Sequence, residues 1–112
     1  MPKVSICIPT FNSSKYIFEC LNSVKEQTYK DFEVIVTDND SSDDTLEIVD
    51  LFKELNLKVY KNDQNFGIGK NFNIACSKAN GELIKLLPSD DIIYPKSLEQ
   101  SINYFSQYKN IS

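Results

Sequence analysis

Leu83-Ile84-Lys85-Leu86-Leu87-Pro88-Ser89-Asp90-Asp91 is an apolar run of strand length, stopped by a proline, with two adjacent carboxylates directly after it. Ile92-Ile93-Tyr94-Pro95 then leads into a helical pattern. Burying two neighbouring anions at the end of a core strand is unfavourable unless a cation offsets them. The chain has no histidine, and no Lys or Arg lies within four residues downstream of the pair. A divalent cation is the simplest partner, because Mg²⁺ and Mn²⁺ favour carboxylate oxygens and keep water or phosphate as their other ligands. The plain alternative is a turn that starts a helix with both aspartates solvated, since Asp is a common cap and turn residue.

Upstream, the same alternation of strand and helix recurs. Val4-Ser5-Ile6-Cys7-Ile8 is rich in β-branched residues, and Pro9, which cannot donate to a ladder, is expected to end the strand. Thr10–Ser14 reads as a polar turn in which Ser13 or Ser14 caps a helix over Lys15–Gln27, with Ile17, Cys20, Leu21 and Val24 on one face. Phe32–Thr37 is a second strand, followed by eight polar residues, Asp38–Thr45. Ser42 or Asp43 is expected to cap a helix over Thr45–Leu55, with Leu46, Val49, Phe52 and Leu55 buried. Leu57–Tyr60 alternates as an edge strand does. Ile68, Phe72, Ala75 and Ala79 define a third helix face, and Asn80-Gly81 marks its end. Pro95 suits the first turn of a fourth helix, with Leu98, Ile102 and Phe105 inward and a polar trail from Tyr108 to Ser112. The order βαβαβαβα implies an α/β fold, a mostly parallel sheet with helices on both faces, over a single domain 1–112.

Composition narrows the function classes. The chain has 112 residues, 41% hydrophobic and 25% charged, which is the balance of one small soluble domain. Its net charge of −4 and lack of a basic stripe disfavour nucleic acid as a partner. No apolar run approaches the roughly 20 residues of a transmembrane segment, and Met1-Pro2-Lys3 leaves no room for a signal peptide. Cys7, Cys20 and Cys76 are widely spaced, without a CxxC, which argues against a disulfide framework or a zinc site. They read as small core residues of a protein in a reducing, cytoplasmic compartment. The absence of histidine removes Ser-His and Cys-His nucleophile systems.

Polar clusters follow the carboxyl ends of all four strands: Pro9-Thr10-Asn12, Asp38-Asn39-Asp40, Asn65-Gly67 and Asp90-Asp91. In open α/β sheets, ligands bind on that rim. Residue types sketch a nucleotide diphosphate: the Asp38 carboxylate for donors on a planar edge, Asp90 for ribose hydroxyls, and Asp91 for a divalent ion. There is no GxxxxGK[ST], and no GxGxxG after the first strand, so neither a P-loop nor a dinucleotide-binding Rossmann domain is indicated.

At this point a family resemblance emerges. Val4–Asn12 resembles the opening "VSIIIPTYN" of family 2 glycosyltransferases, and Leu21–Tyr29 resembles their "LxSvlxQty". Phe32–Thr45 resembles "yEiIVvDdgStDgT". Asn65-Phe66-Gly67 with Asn71, Asn73 and Ala75 resembles "NxGxxxarNxgia", and Gly81–Asp91 resembles "GeyIxfLDaDD". The match runs from Val4 to about Leu98, with five motifs in order.

The resemblance implies a Rossmann-like GT-A fold and an inverting transferase that uses Mg²⁺ or Mn²⁺. The donor is a nucleotide-diphosphate sugar, a UDP-sugar by the match at Asp38. The acceptor is a saccharide or lipid-linked molecule, as in cell-envelope polysaccharide synthesis, which adds a place at the cytoplasmic membrane face. The implied donor-binding residues are Pro9, Thr10, Asn12, Asp38, Asp40, Lys70 and Asp90, with Asp91 as metal ligand. Thr10 and Asn12 line the base and ribose pocket, Asp38 meets the uracil edge, and Lys70 stands where many members carry arginine. Departures are Asn39 and Asp40 for the "dg" of the second motif, and Pro88 for the first acid of the last. The family continues well beyond this length, so the general base and the acceptor pocket are expected beyond Ser112, and the incomplete sheet is expected to self-associate through an exposed edge. Two alternatives remain: a non-catalytic nucleotide-sugar-binding or assembly module, and a receiver-like signalling domain, which needs acids after the first strand where Pro9-Thr10 stand.

Overall fold

The computed structural model describes residues 2–109. Its elements are β1 (Val4–Thr10), α1 (Ile17–Lys25), β2 (Phe32–Asp38), α2 (Thr45–Val49), β3 (Leu57–Lys61), α3 (Ile68–Ser77), β4 (Leu83–Leu86) and α4 (Ser97–Lys109), with a 3-10 turn, Asp50–Phe52, closing α2. Of the polar trail expected over 108–112, residues 110–112 lie outside the described part. The strands form one sheet in the order β3-β2-β1-β4, and every pairing is parallel. A receiver-like domain orders its strands 2-1-3-4-5, so this sheet excludes that alternative.

Position in the sheet explains which strands are apolar throughout. β1 and β2 have neighbours on both sides, and nearly all of their residues are buried. β3 and β4 lie at the edges and mix partly buried with exposed positions; β4 alternates strictly, whereas in β3 the expected alternation fails at Lys58 and Val59, which are both exposed. Val4, Ile6, Ile8, Val34 and Val36 point to one face, where Ile17, Leu21 and Val24 of α1, Val49 and Phe52 beyond it, and Leu98 of α4 complete the main core. Cys7 and Ile35 point to the other face and meet Ala75 of α3. Helices therefore cover both faces unequally, three on one and α3 alone on the other.

Several local expectations need correction. β1 does not stop at Pro9 but runs to Thr10, with Pro9 opposite Thr37. Cys7 O accepts from Leu87 N, so the equivalent edge of Pro9 faces the side where β4 has already ended, and no ladder donor is lost there. Neither Ser13 nor Ser14 caps α1 through its side chain; the Ser13 carbonyl accepts from the Tyr16 and Ile17 amides instead. Asp43 does accept from Thr45 N at 3.0 Å at the start of α2. The inward face of α3 is Asn71 and Ala75, while Ile68 is 82% exposed. Pro95 precedes α4 rather than lying in its first turn. Gly81 is needed for close approach rather than for a helix end: a Cβ there would sit 2.6 Å from Ser5 N.

The α3 side also holds a buried charge that sequence patterning passed over. Glu33 lies in the middle of an apolar strand and is 1% exposed. Its carboxylate accepts from Ser5 Oγ at 2.6 Å, Asn80 N at 2.6 Å and Lys58 Nζ at 3.4 Å. Ser5 Oγ in turn accepts from Gly81 N at 2.7 Å. The cluster ties β1, β2, β3 and the turn before β4 together. Burial pushes the Glu33 carboxyl up, but the hydrogen bonds from Ser5, Asn80 and Lys58 outweigh it and hold the group below its ordinary value.

A depressed carboxylate stabilises the fold above the unfolded-state value, and that contribution is lost as pH falls through the folded-state value. Glu33→Gln is expected to lower stability at pH 7 by on the order of 2 kcal/mol. In urea titrations across pH, the gap between wild type and Glu33→Gln should close in acid; a gap independent of pH would contradict this account.

Candidate functional site

The strand order steps from β3 to β2 to β1 and then jumps to β4 on the far side of β1. Such a reversal opens a crevice at the carboxyl ends of the strands. A cleft of about 630 Å³ lies there. Pro9 and Thr10 at the end of β1 with Asn12 just beyond it line one side, and Leu86 at the end of β4 with Pro88, Ser89 and Asp90 beyond it line another. Gly67, Asn71 and Phe72 close the α3 side. Phe11 and Tyr16 in the lining are 47% and 45% exposed, so aromatic faces are available to a planar ligand.

The first wall is fastened to the loop after β2. Asp38 is 1% exposed, and its carboxylate accepts from Thr10 Oγ1, from Ser41 Oγ at 2.6 Å and from Ser41 N at 2.9 Å. Asn12 Oδ1 accepts from Ser42 N at 2.8 Å, while Asn12 N donates to Ser41 Oγ at 2.9 Å. Ser14 N donates to Asp43, whose carboxyl is pushed up by burial yet held low overall by Thr45 and Ser14. Asn12 and Asp40 both have positive φ, 46° and 60°. Asp40 stands where the family motif has glycine, and Asn and Asp are the residues that best tolerate that conformation after glycine.

The third side rests on three asparagines. Asn62 Nδ2 donates to Asn39 Oδ1 at 2.7 Å and to Asn71 Oδ1 at 2.9 Å. Asn71 Nδ2 donates to Thr37 O at 2.8 Å, and Asn39 Nδ2 donates to Gly67 O at 3.2 Å. The ends of β2 and β3 and the start of α3 are thereby locked. Gly67 has φ 88°, a conformation that only glycine adopts without strain in an extended turn. Asn39 and Asn71 are thus frame residues that also touch the cleft. For Asn71 the signal was present in the sequence, as a polar position in an otherwise apolar helix face; Asn39 lies within a run of polar residues that does not single it out.

The acidic pair departs from its expected setting. Asp90 and Asp91 are both exposed, so no burial of anions has to be offset. Asp90 lines the cleft, and Asp91 sits one residue beyond the lining with its Oδ1 accepting from Ile92 N at 2.9 Å. Among the described residues no group of three or more His, Cys, Asp or Glu is placed to hold a metal. An exposed carboxylate pair suits an ion that takes its remaining ligands from water and phosphate, as Mg²⁺ and Mn²⁺ do. The nearby Cys20 thiol is pushed up to about 12 by burial, then by Asp91 and Asp90, and is a neutral packing group.

Of the sequence-derived candidates, Pro9, Thr10, Asn12 and Asp90 line the cleft. Asp38 lies behind the lining, its oxygens taken by Thr10 and Ser41. Asp40 and Asp91 flank it. Lys70 is outside it, with its ammonium 4.3 Å from the Phe66 ring centroid. Counted from Asn65, the arginine position of "NxGxxxarNxgia" falls on Phe72, which does line the cleft. Phe72, Tyr16 and Ser89 are lining residues that the motifs did not single out.

The model of glycosyl transferase family 2 matches residues 5–112. The poly(ribitol-phosphate) β-N-acetylglucosaminyltransferase TarS of Staphylococcus aureus is 40% identical over 112 residues, covering 96% of this chain and 20% of TarS. Chondroitin synthase of Escherichia coli is 39% identical over 106 residues, covering 94% of this chain and 16% of that protein. The crystal structure of S. aureus TarS 1-349 in complex with UDP superposes with a TM-score of 0.92 at 40% identity, over 96% of this chain and 33% of that one. The mannosyltransferase PcManGT from Pyrobaculum calidifontis, in complex with GDP-Man and Mn²⁺, gives a TM-score of 0.84 at 27% identity, over 94% of this chain and 32% of that one. The mostly parallel four-stranded sheet and its helices match the fold of the GT-A glycosyltransferases. The chain belongs to glycosyl transferase family 2, and it spans between about a fifth and a third of the TarS chains it matches.

Asn71→Ala would remove the hydrogen bonds that Asn71 makes to Thr37 O and accepts from Asn62 Nδ2 in a buried site, and is expected to cost about 3 kcal/mol. Ile68→Ala, on the same helix, should change stability by less than about 0.5 kcal/mol. Chemical denaturation of both variants checks the inward face of α3.

Proposed function

We propose that this chain carries the donor half of a metal-dependent, inverting hexosyltransferase that takes its sugar from a UDP-sugar. The observation behind this reading is the rim cleft, with Pro9, Thr10 and Asn12 facing Asp90 across it. It occurs in a chain whose fold follows that of TarS solved with UDP and with UDP-GlcNAc. The base and ribose would lie along the Thr10–Asn12 wall against the aromatic faces of Phe11 and Tyr16. Asp38 would act from behind that wall, fixing Thr10 and the Ser41 loop. Asp90 would accept from ribose hydroxyls, and Asp91 would hold Mg²⁺ or Mn²⁺. When bound, the ion would neutralise the diphosphate that departs as leaving group. The complex of PcManGT with GDP-Man and Mn²⁺ supports that assignment by likeness.

The relatives extend far outside the matched part, and we assign the general base and the saccharide or lipid-linked acceptor pocket to such regions. Inversion needs one carboxylate-type base near the acceptor hydroxyl, and no residue of this chain is given that role. A cytoplasmic setting at the membrane face would suit a lipid-linked acceptor. Among the described residues no helix is long and apolar enough to cross a membrane.

Calorimetric titration with UDP and Mn²⁺ tests the donor site. Binding is expected with Mn²⁺, and Asp91→Ala should weaken it on the order of tenfold or more. Absence of UDP binding with Mn²⁺, or an unchanged Asp91→Ala, would sink the proposal. A second expectation concerns β4, whose Ile84 and Leu86 are 49% and 42% exposed at the sheet edge. The 112-residue chain should sediment partly as dimer or larger species, and Ile84→Lys should shift it towards monomer.

A further inference from the structure

The turn that carries Asp90 and Asp91 has little hold of its own. Asp91 N donates to Pro88 O at 3.0 Å and Ile92 N to Asp91 Oδ1 at 2.9 Å, both within the turn. The segment is fastened on either side of it, and both fastenings lead to the region of α1. Upstream, Ser89 Oγ meets Ser13 Oγ at 2.8 Å, and Cys20 Sγ donates to Pro88 O at 3.7 Å. Downstream, the anchor is Gln27, which is fully buried just past the end of α1.

Gln27 uses its whole carboxamide on this task. Nε2 donates to Tyr94 O at 2.7 Å and to Ser23 O at 3.1 Å, with Ile93 O at 3.5 Å. Oε1 accepts from Leu98 N at 3.1 Å, at the start of α4. Two neighbours reinforce it: Ser23 Oγ accepts from Ile93 N at 3.1 Å, and Thr28 N donates to Pro95 O at 2.9 Å. The run 90–92 is therefore a short bridge between fixed ends. Releasing the downstream end frees the backbone through Leu98, and a freed segment must be reordered each time the carboxylates take up a ligand.

We infer that Gln27 is a positioning residue for the Asp90-Asp91 turn, setting where the two carboxylates stand towards a metal-bound diphosphate without touching either. This rests on the donor site proposed above. Outer partners that orient metal ligands commonly govern affinity as strongly as some ligands do. A glutamine that only filled the core would instead lower overall stability and affect all ligands alike.

Two variants separate these cases. Gln27→Met keeps the volume and removes the four polar contacts; Ser23→Ala removes the lesser hold on Ile93 and serves if Gln27→Met does not fold. UDP is titrated calorimetrically into the 112-residue chain with Mn²⁺ and with EDTA, and amide hydrogen exchange is followed. Gln27→Met is expected to weaken UDP binding in Mn²⁺ about tenfold or more, and to change it less than about twofold in EDTA. Ser23→Ala should show the same asymmetry, smaller. Exchange should quicken over residues 90–98 and stay slow in β1 and β2. Equal losses in Mn²⁺ and EDTA, or unchanged Mn²⁺ binding despite faster exchange at 90–98, would overturn the inference. A wild-type chain that binds no UDP in either condition overturns the donor reading itself, and the inference with it.

Discussion

A buried carboxylate holds the working rim of this sheet together. Asp38 ends the most buried strand, and its oxygens are satisfied by Thr10 from the neighbouring strand and by the Ser41 loop. A polar group so deeply buried is tolerable only when hydrogen-bonded, and those bonds are then worth more than in water. The β1 and β2 loops become one unit, to which Asn12, Ser42, Ser14 and Asp43 add further ties. Without that unit, the first wall of the cleft would be two independent loops.

The other sides of the cleft are held by neutral amides. Asn39, Asn62 and Asn71 lock the start of α3, and Gln27 holds the chain between the acidic pair and α4. These side chains donate and accept at once, so each can bridge two backbone segments that lack regular partners. The apolar cores decide where the helices lie, and the amides decide where the loops lie. Several residues that line the cleft, Thr10, Asn12, Asn39 and Asn71 among them, are held in place by these same bonds.

Much of the architecture could be read along the chain. The four strands, the four helices, the parallel order and the edge position of β3 follow from apolar periodicity and from the absence of short hairpin turns, whereas the apolar pattern of β4 read as a core strand and it lies at the other edge. That Pro9, Thr10, Asn12 and Asp90 would share one rim was legible because polar clusters at the carboxyl ends of parallel strands lie together. Periodicity failed where a polar residue faces inward. Ile68 fitted the apolar stripe of α3, yet Asn71 takes the buried place because strand carbonyls lie opposite it. Glu33 broke the pattern of β2 with no local sign that Ser5, Asn80 and Lys58 would gather round it. Lys70 was matched to the motif's arginine, but its ammonium rests over Phe66, and Phe72, which falls on that motif position, lines the cleft.

The sequence by itself determined the class of fold, its family and the rim on which a ligand would sit, because strand alternation and five ordered motifs are local properties of the chain. Tertiary structure decided what those motif residues do. Asp38 turned inward as a tie, Asp90 and Asp91 turned out to be exposed rather than buried, and Gln27 became the anchor of a segment some 66 to 71 residues away. Such roles depend on which donors and acceptors are brought opposite one another in space, and one-dimensional spacing carries no record of that.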